Sequence, residues 1–199
     1  MIIQLILPAF HQMDGRDAWA SPPMITLDMM DEYVVAYTER LRDQLGDKVI
    51  TRGNWGDAKS PDKERFFLQK MRCSPGSLSV LDPDLYEIGP ERVKTFANKR
   101  KAFVTAGVDA TLLQNGPVET IVERIKFYID KMARDGRCMI HLNQIAAETP
   151  PEHIHAAVAA CRAYGTHPIP DNLEDIDFEM PKHESFSEFL REKGESINI

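Results

Sequence analysis

No apolar run in this chain approaches the ~18 residues needed to cross a bilayer, so a membrane span is not expected. Cysteine is scarce: Cys73, Cys138 and Cys161 form no C-x-x-C pair and cannot all be paired within one chain. Reduced, mostly buried thiols are therefore expected. Clustered basic residues are also lacking, which removes the electrostatic footprint of a nucleic-acid binder. Internal repeats and low-complexity segments are not seen either. The opening Met1 to Leu7 has no basic leader or small-residue cleavage site, and it reads as a buried strand of a cytoplasmic protein.

What is present fits a folded domain with an appendage. Of 199 residues, 43% are hydrophobic and 28% charged, enough apolar surface for a real core. The net charge of -7 is uneven, because residues 171 to 199 hold nine acidic residues against Lys182, Arg191 and Lys193. Such a tail reads as a solvated extension, with a short helix over Ser187 to Lys193 offering Phe186, Phe189 and Leu190. The expected organisation is a body of residues 1–165 followed by this acidic tail of 166–199.

Within the body, short β-branched runs alternate with amphipathic stretches, as in βα units around a parallel sheet. Strands are predicted at Ile2 to Leu7, Lys48 to Arg52, Leu78 to Asp82, Ala102 to Thr105 and Arg137 to Leu142. Met30, Tyr33, Val34, Tyr37 and Leu41 line a helix ending near Gly46. Helix starts are predicted at Ser60-Pro61, Gly89-Pro90 and Gly116-Pro117, and at Thr149-Pro150-Pro151-Glu152 with a capping box between Thr149 and Glu152. Phe10 to Gly15 reads as a loop.

Three ordered motifs carry a resemblance. Gly107-Val108-Asp109-Ala110-Thr111-Leu112-Leu113, then Gly116-Pro117-Val118-Glu119, then Thr149-Pro150-Pro151-Glu152-His153-Ile154 resemble the C-terminal part of the uroporphyrinogen decarboxylase family, which also contains cobamide-dependent methyltransferases. Upstream, Asp17-Ala18-Trp19-Ala20-Ser21-Pro22 is similar to the family's segment after its fourth strand, and Leu81-Asp82 stands where its sixth strand ends. The resemblance implies an α/β fold: a partial (β/α)8 TIM-type barrel of about five parallel βα units. Eight strands and roughly 200 to 250 residues make a complete barrel. The family's N-terminal arginine-rich segment and early aspartate have no counterpart here, so the missing units would come from a complementary half-barrel chain or from a homo-oligomer, or else the chain is a fragment of a longer protein.

Active sites of such barrels lie at the carboxyl ends of the strands. Alternation groups Ile50, Arg52 and Asn54 on one strand face and Met139, His141 and Asn143 on another. The candidate substrate-binding residues are His11, Arg52, Asn54, Asp82, His141 and Asn143. Arg52 suits a bidentate carboxylate anchor or, equally, a salt-bridged strand end. Asp82 is a candidate acid or base inside the presumed cavity, whereas Asp84 and Asp109 read as turn aspartates bonded to nearby amides. Trp55 and His11 suit either a pocket wall or the core.

The methyltransferase branch holds zinc where this chain has Arg52, Gly53, Asn54 and Asn143, so zinc is not expected and no metal site is assigned. The decarboxylase branch has a histidine where Asn143 stands. No cofactor is predicted, although methyl transfer would require a corrinoid. The expected function is binding of a carboxylated or tetrapyrrole-like small molecule, as a decarboxylase-like lyase or in one-carbon transfer. The alternative is a non-catalytic binding or scaffolding subunit that lost its zinc ligands.

Overall fold

A computed structural model of the chain describes residues 13–16, 21–46, 49–52 and 56–182, with side chains left aside at 13–16, 49, 51 and 52. The described residues form an α/β structure with five strands: β1 (Met13–Arg16), β2 (Val49–Arg52), β3 (Ser77–Leu81), β4 (Phe103–Val108) and β5 (Cys138–Leu142). Every observed pairing is parallel. β1 pairs with β2, and β3, β4 and β5 form an open three-stranded sheet in that order.

Four predicted strands stand within a few residues of their expected places, and Ile2 to Leu7 lies outside the described residues. Met13–Arg16 corrects the loop reading of Phe10 to Gly15. Asp14 and Gly15 are poor strand formers, and pairing with β2 overrides their propensity.

Each strand is followed by helix. The first, α1, runs through Leu27–Met29, a π turn at Met30–Val35, and Ala36–Leu45, ending at Gly46 with φ 87°. Then come α2 (Lys63–Cys73), α3 (Asp84–Ile88), α4 (Pro90–Asn98), α5 (Ala110–Asn115), α6 (Val118–Tyr128, extended by a π turn at Ile129–Ala133) and α7 (Pro151–Tyr164). Gly89-Pro90 and Gly116-Pro117 do open helices, because a proline at the start of a helix forfeits no internal hydrogen bond.

Two caps differ from expectation. α2 is capped by Asp62, which accepts from the Arg65 N–H at 3.0 Å, two residues beyond the predicted start. At α7 the N-cap is Pro150 and makes no side-chain cap; the Thr149 hydroxyl is buried without a hydrogen-bond partner, so the capping box is absent.

The core lies between the three-stranded sheet and its helices. Leu78, Val80, Val104, Ala106 and Val108 are fully buried against Ile121, Ile125, Tyr128 and Ala157. Ile140 and Leu142 of β5 complete that face. The opposite face differs: Phe103 and Met139 are 39% and 46% exposed, beside half-buried Ser79 and His141.

The start of the acidic tail is a packed strap rather than the expected solvated extension. Leu173 is buried, and Ile169, Ile176 and Phe178 pack against the core. Arg134 holds this strap by donating to the carbonyls of Pro170 and Asp171 at 2.8 and 3.0 Å, and Lys126 pairs with Glu174 at 2.7 Å. The helix predicted at Ser187 to Lys193, with Phe186, Phe189 and Leu190, lies outside the described residues. No helix among the described residues is long and apolar enough to cross a membrane.

Cys73, Cys138 and Cys161 form no disulfide. Cys73 is buried, and burial pushes the half-buried Cys138 and Cys161 thiols up to about 11, which keeps them protonated and unreactive.

Candidate functional site

In parallel βα structures the loops that follow the strands gather at their carboxyl ends, where ligands bind. Two such loops meet here. Residues 21–26 lead from β1 into α1, and residues 56–62 lead from β2 into α2. Their backbones touch at Gly56, whose φ is 82° and whose Cα leaves no room for a side chain: an added Cβ would lie 1.6 Å from the Pro22 carbonyl oxygen.

Buried carboxylates fix this junction. Asp84, at the start of α3, accepts from the Gly56 and Asp57 N–H groups at 2.8 and 3.1 Å. The expectation that Asp84 bonds to amides holds, but the amides belong to the preceding βα loop rather than to its own turn. Asp57 is fully buried and pairs with the buried Lys70 ammonium of α2, both carboxylate oxygens at 2.9 Å. Burial pushes the Asp57 carboxyl above its ordinary range, and Lys70 opposes that shift.

Between the two loops lies an open cleft of about 450 Å³. Pro22, Pro23, Ile25, Leu27 and Pro61 wall it, and Thr26, Asp28, Lys59, Asp62 and Arg65 contribute polar edges. Prolines make stiff apolar walls at little entropic cost on binding. Arg65 is already committed to Asp28 and Asp31 at 2.6 and 2.8 Å. Among the described residues Lys59 pairs with Glu87 through a long, exposed contact at 3.7 Å, so it is the cation better placed to meet a ligand anion.

One pairing adds to this picture. Arg16 and Arg52, the last residues of β1 and β2, stand opposite each other in register. Arg16 was not among the sequence candidates, since its segment read as a loop. Only the pairing with β2 places it.

The remaining predicted residues fall in three groups. His11 and Asn54, together with Trp55, lie outside the described residues. His141 lies on the sheet face opposite the helices and is half-buried; Asn143, just beyond the end of β5, is buried, and its N–H donates to the Val108 carbonyl at 3.1 Å. Asp82 is the third case and departs from expectation. It points into the helix layer, where Oδ1 accepts from the Tyr128 hydroxyl and Oδ2 pairs with Arg124 Nη1 at 2.7 Å. Arg124 in turn stacks on the Tyr86 ring, 3.8 Å from its centre. The reason is parity: Leu78, Val80 and Asp82 share one face, and that face is buried against α6. Asp82 is thus not brought together with His141 and Asn143. Asp109 caps α5 by accepting from the Thr111 N–H at 2.8 Å, as a turn aspartate should.

Asp82 supplies a test by titration. Burial holds its carboxyl above the ordinary 3.8, against the lowering effects of Tyr128 and Arg124. A raised folded value means that the proton is bound more tightly in the folded chain. This contribution to stability is fully present below 3.8 and is lost as pH rises through the folded value. In Asp82→Asn that dependence disappears. Urea unfolding at about pH 4 and about pH 7 should then show a smaller loss of stability on going to the higher pH than in the parent. Equal losses in both proteins would contradict this assignment.

Among the described residues, no group of three or more His, Cys, Asp or Glu side chains is arranged to hold a metal ion. No family model, curated protein or solved structure matches the chain. Function must therefore be argued from the rim and its chemistry.

Proposed function

We propose that this chain binds a small molecule bearing two or more carboxylates at its carboxyl-end rim, as a part-barrel of uroporphyrinogen-decarboxylase type completed by another chain. The observation that carries this reading is the in-register pair Arg16 and Arg52 at the ends of adjacent parallel strands. Two arginine positions set side by side at adjacent strand ends favour a shared counter-charge. A ligand with paired carboxylates supplies it, and guanidinium groups recognise carboxylates in two-bond geometry. The neighbouring cleft, with proline walls and Lys59 at its edge, suits the apolar body of a tetrapyrrole-like molecule.

The open sheet supports completion by another chain, because Phe103 and Met139 expose apolar surface on the face that a barrel would enclose. Decarboxylation or one-carbon transfer would use groups on or just beyond that face, His141 and Asn143 among them, with the corrinoid that methyl transfer requires. A second reading, a non-catalytic binding subunit, is favoured by the commitment of Asp82 to Arg124 and Tyr128, which removes the candidate acid from the rim. Ligand binding is common to both.

Calorimetric titration with a polycarboxylated tetrapyrrole and with its neutral methyl ester tests the proposal. Binding of the acid and not the ester is expected, and Arg16→Ala or Arg52→Ala should each weaken it about tenfold or more, with the melting temperature unchanged or slightly raised. Unchanged affinity in both variants, or a large fall in melting temperature without a change in binding, would refute it.

A further inference from the structure

The helix α1 carries a line of large side chains that the body does not cover. Met29, Tyr33, Tyr37 and Leu41 are 42%, 57%, 54% and 41% exposed. From the sequence, the last three line the helix together with Met30 and Val34; the structure buries Met30 and Val35, half-buries Val34 and leaves those three exposed. The π turn at Met30–Val35 explains the difference. A four-residue repeat on a regular α-helix drifts about 40° per step, so four such residues would wind away from one another. The wider π turn takes up that rotation. The stripe therefore runs straight along one side of the helix.

That side faces away from α2. The flank of α1 towards α2 is marked by Asp28, Asp31 and Glu39, which pair with Arg65 and Arg72, and by Leu27, Met30 and Val35, which pack with Phe66 and Cys73. Tyrosine is the residue type most favoured, with tryptophan and arginine, at the energetic centre of protein interfaces. A straight ridge of i, i+4 neighbours is also the geometry by which helices pack.

We infer that this ridge is an interface with a second copy of the same chain, two α1 helices packing antiparallel about a two-fold axis. The spacing is self-complementary. Centring the axis between Tyr33 and Tyr37 sets Tyr33 of each copy against Tyr37 of the other, and Met29 against Leu41. Charge is compatible with that register: Glu32 and Arg40 are both exposed beside the ridge, on opposite sides of its middle, three residues before it and five after it, an axial offset of about 3 Å that long side chains can span. In the antiparallel pair, Glu32 of each copy meets Arg40 of the other, twice. Within one chain, Arg40 lies over the Tyr37 ring at 5.3 Å, so its charge is already held along the ridge.

One helix face buries less than the roughly 1,200–2,000 Å² of a standard stable interface, so the dimer should be concentration-dependent rather than obligate. This inference stands on the geometry of α1 and is independent of the ligand reading.

Sedimentation equilibrium of the full chain over a wide concentration range tests it, with circular dichroism to confirm folding. A monomer–dimer equilibrium is expected, with the dissociation constant raised about tenfold or more by Tyr33→Asp or Tyr37→Asp. Glu32→Arg and Arg40→Glu should each weaken the dimer, and the two together should restore it. Those charge variants are exposed and leave the ridge itself intact, so they report even if an aspartate variant fails to fold. A monomer at every concentration, or a dimer indifferent to the charge reversals and the tyrosine substitutions, overturns the inference.

Discussion

Lys70→Ala is expected to destabilise the folded chain by roughly 3–5 kcal/mol, the cost of leaving a buried carboxylate without its partner. Lys70 and Asp57 are 5% and 0% exposed, and the ammonium lies 2.9 Å from both carboxylate oxygens. Without Lys70, a fully buried Asp57 loses the ammonium that meets both its oxygens. The cost should arise from the missing partner rather than from lost attraction, so Lys70→Met combined with Asp57→Asn should recover much of the loss. Urea unfolding of the parent, the single variant and the double variant separates the two contributions. A loss below about 1 kcal/mol in the single variant would mean that the pair is solvated and does not brace the loop.

Gly56→Ala should be at least as damaging, costing more than about 4 kcal/mol, for a different reason. Its φ of 82° already disfavours a side chain, and the new Cβ would lie 1.6 Å from the Pro22 oxygen, in a contact with backbone that no rotamer can relieve. Gly46→Ala is the control. Its φ of 87° is similar, but nothing lies within 4 Å of the added carbon, so only the backbone strain of about 1–2 kcal/mol is expected. Because Gly56 joins the two rim loops, its substitution should also weaken polycarboxylate binding, whereas Gly46→Ala should not. Equal destabilisation by the two substitutions, measured by thermal unfolding, would show that the contact with Pro22 is unimportant.

These two expectations depend on contacts that no sequence pattern announces. Lys70 sits in a helix as an ordinary charged residue, and Asp57, thirteen residues before it, belongs to no recognisable motif. Their burial results from the way α2 lies across the β2 loop. The strands of the three-stranded sheet were legible because parallel strands covered by helices read as apolar runs, as Leu78 to Leu81 and Val104 to Val108 do. β1 was not legible, since Met13–Arg16 has neither alternation nor strand-forming side chains and is held by its neighbour. Arg16 was therefore overlooked, although Arg52 was recognised from its place at the end of a strand.

Face assignment was the second limit. Period-two alternation groups His141 with Asn143, one residue past the end of β5. The same rule puts Asp82 with Leu78 and Val80, on the helix side, where its charge is met by Arg124 and Tyr128 rather than by a ligand. On α1 the helix and its end at Gly46 were legible, but the split of buried Met30 from exposed Tyr33, Tyr37 and Leu41 was not, because the π turn changes the rotation in a way that periodicity in the sequence does not reveal. Thr149 shows a third limit: a capping pattern has the right residue types, but Pro150 takes the cap position and leaves the hydroxyl unbonded.

Arginines at the carboxyl ends of β1 and β2 meeting a ligand's carboxylates is the claim on which the functional account turns. Backbone amide chemical shifts recorded by NMR during titration with a polycarboxylated tetrapyrrole test it most directly. The account predicts the largest changes at Gly15, Arg16, Thr51, Arg52 and Gly56 to Lys59, with the strap at Leu173 unmoved. Saturable changes concentrated on the strap or on α7, with that rim silent, would contradict it.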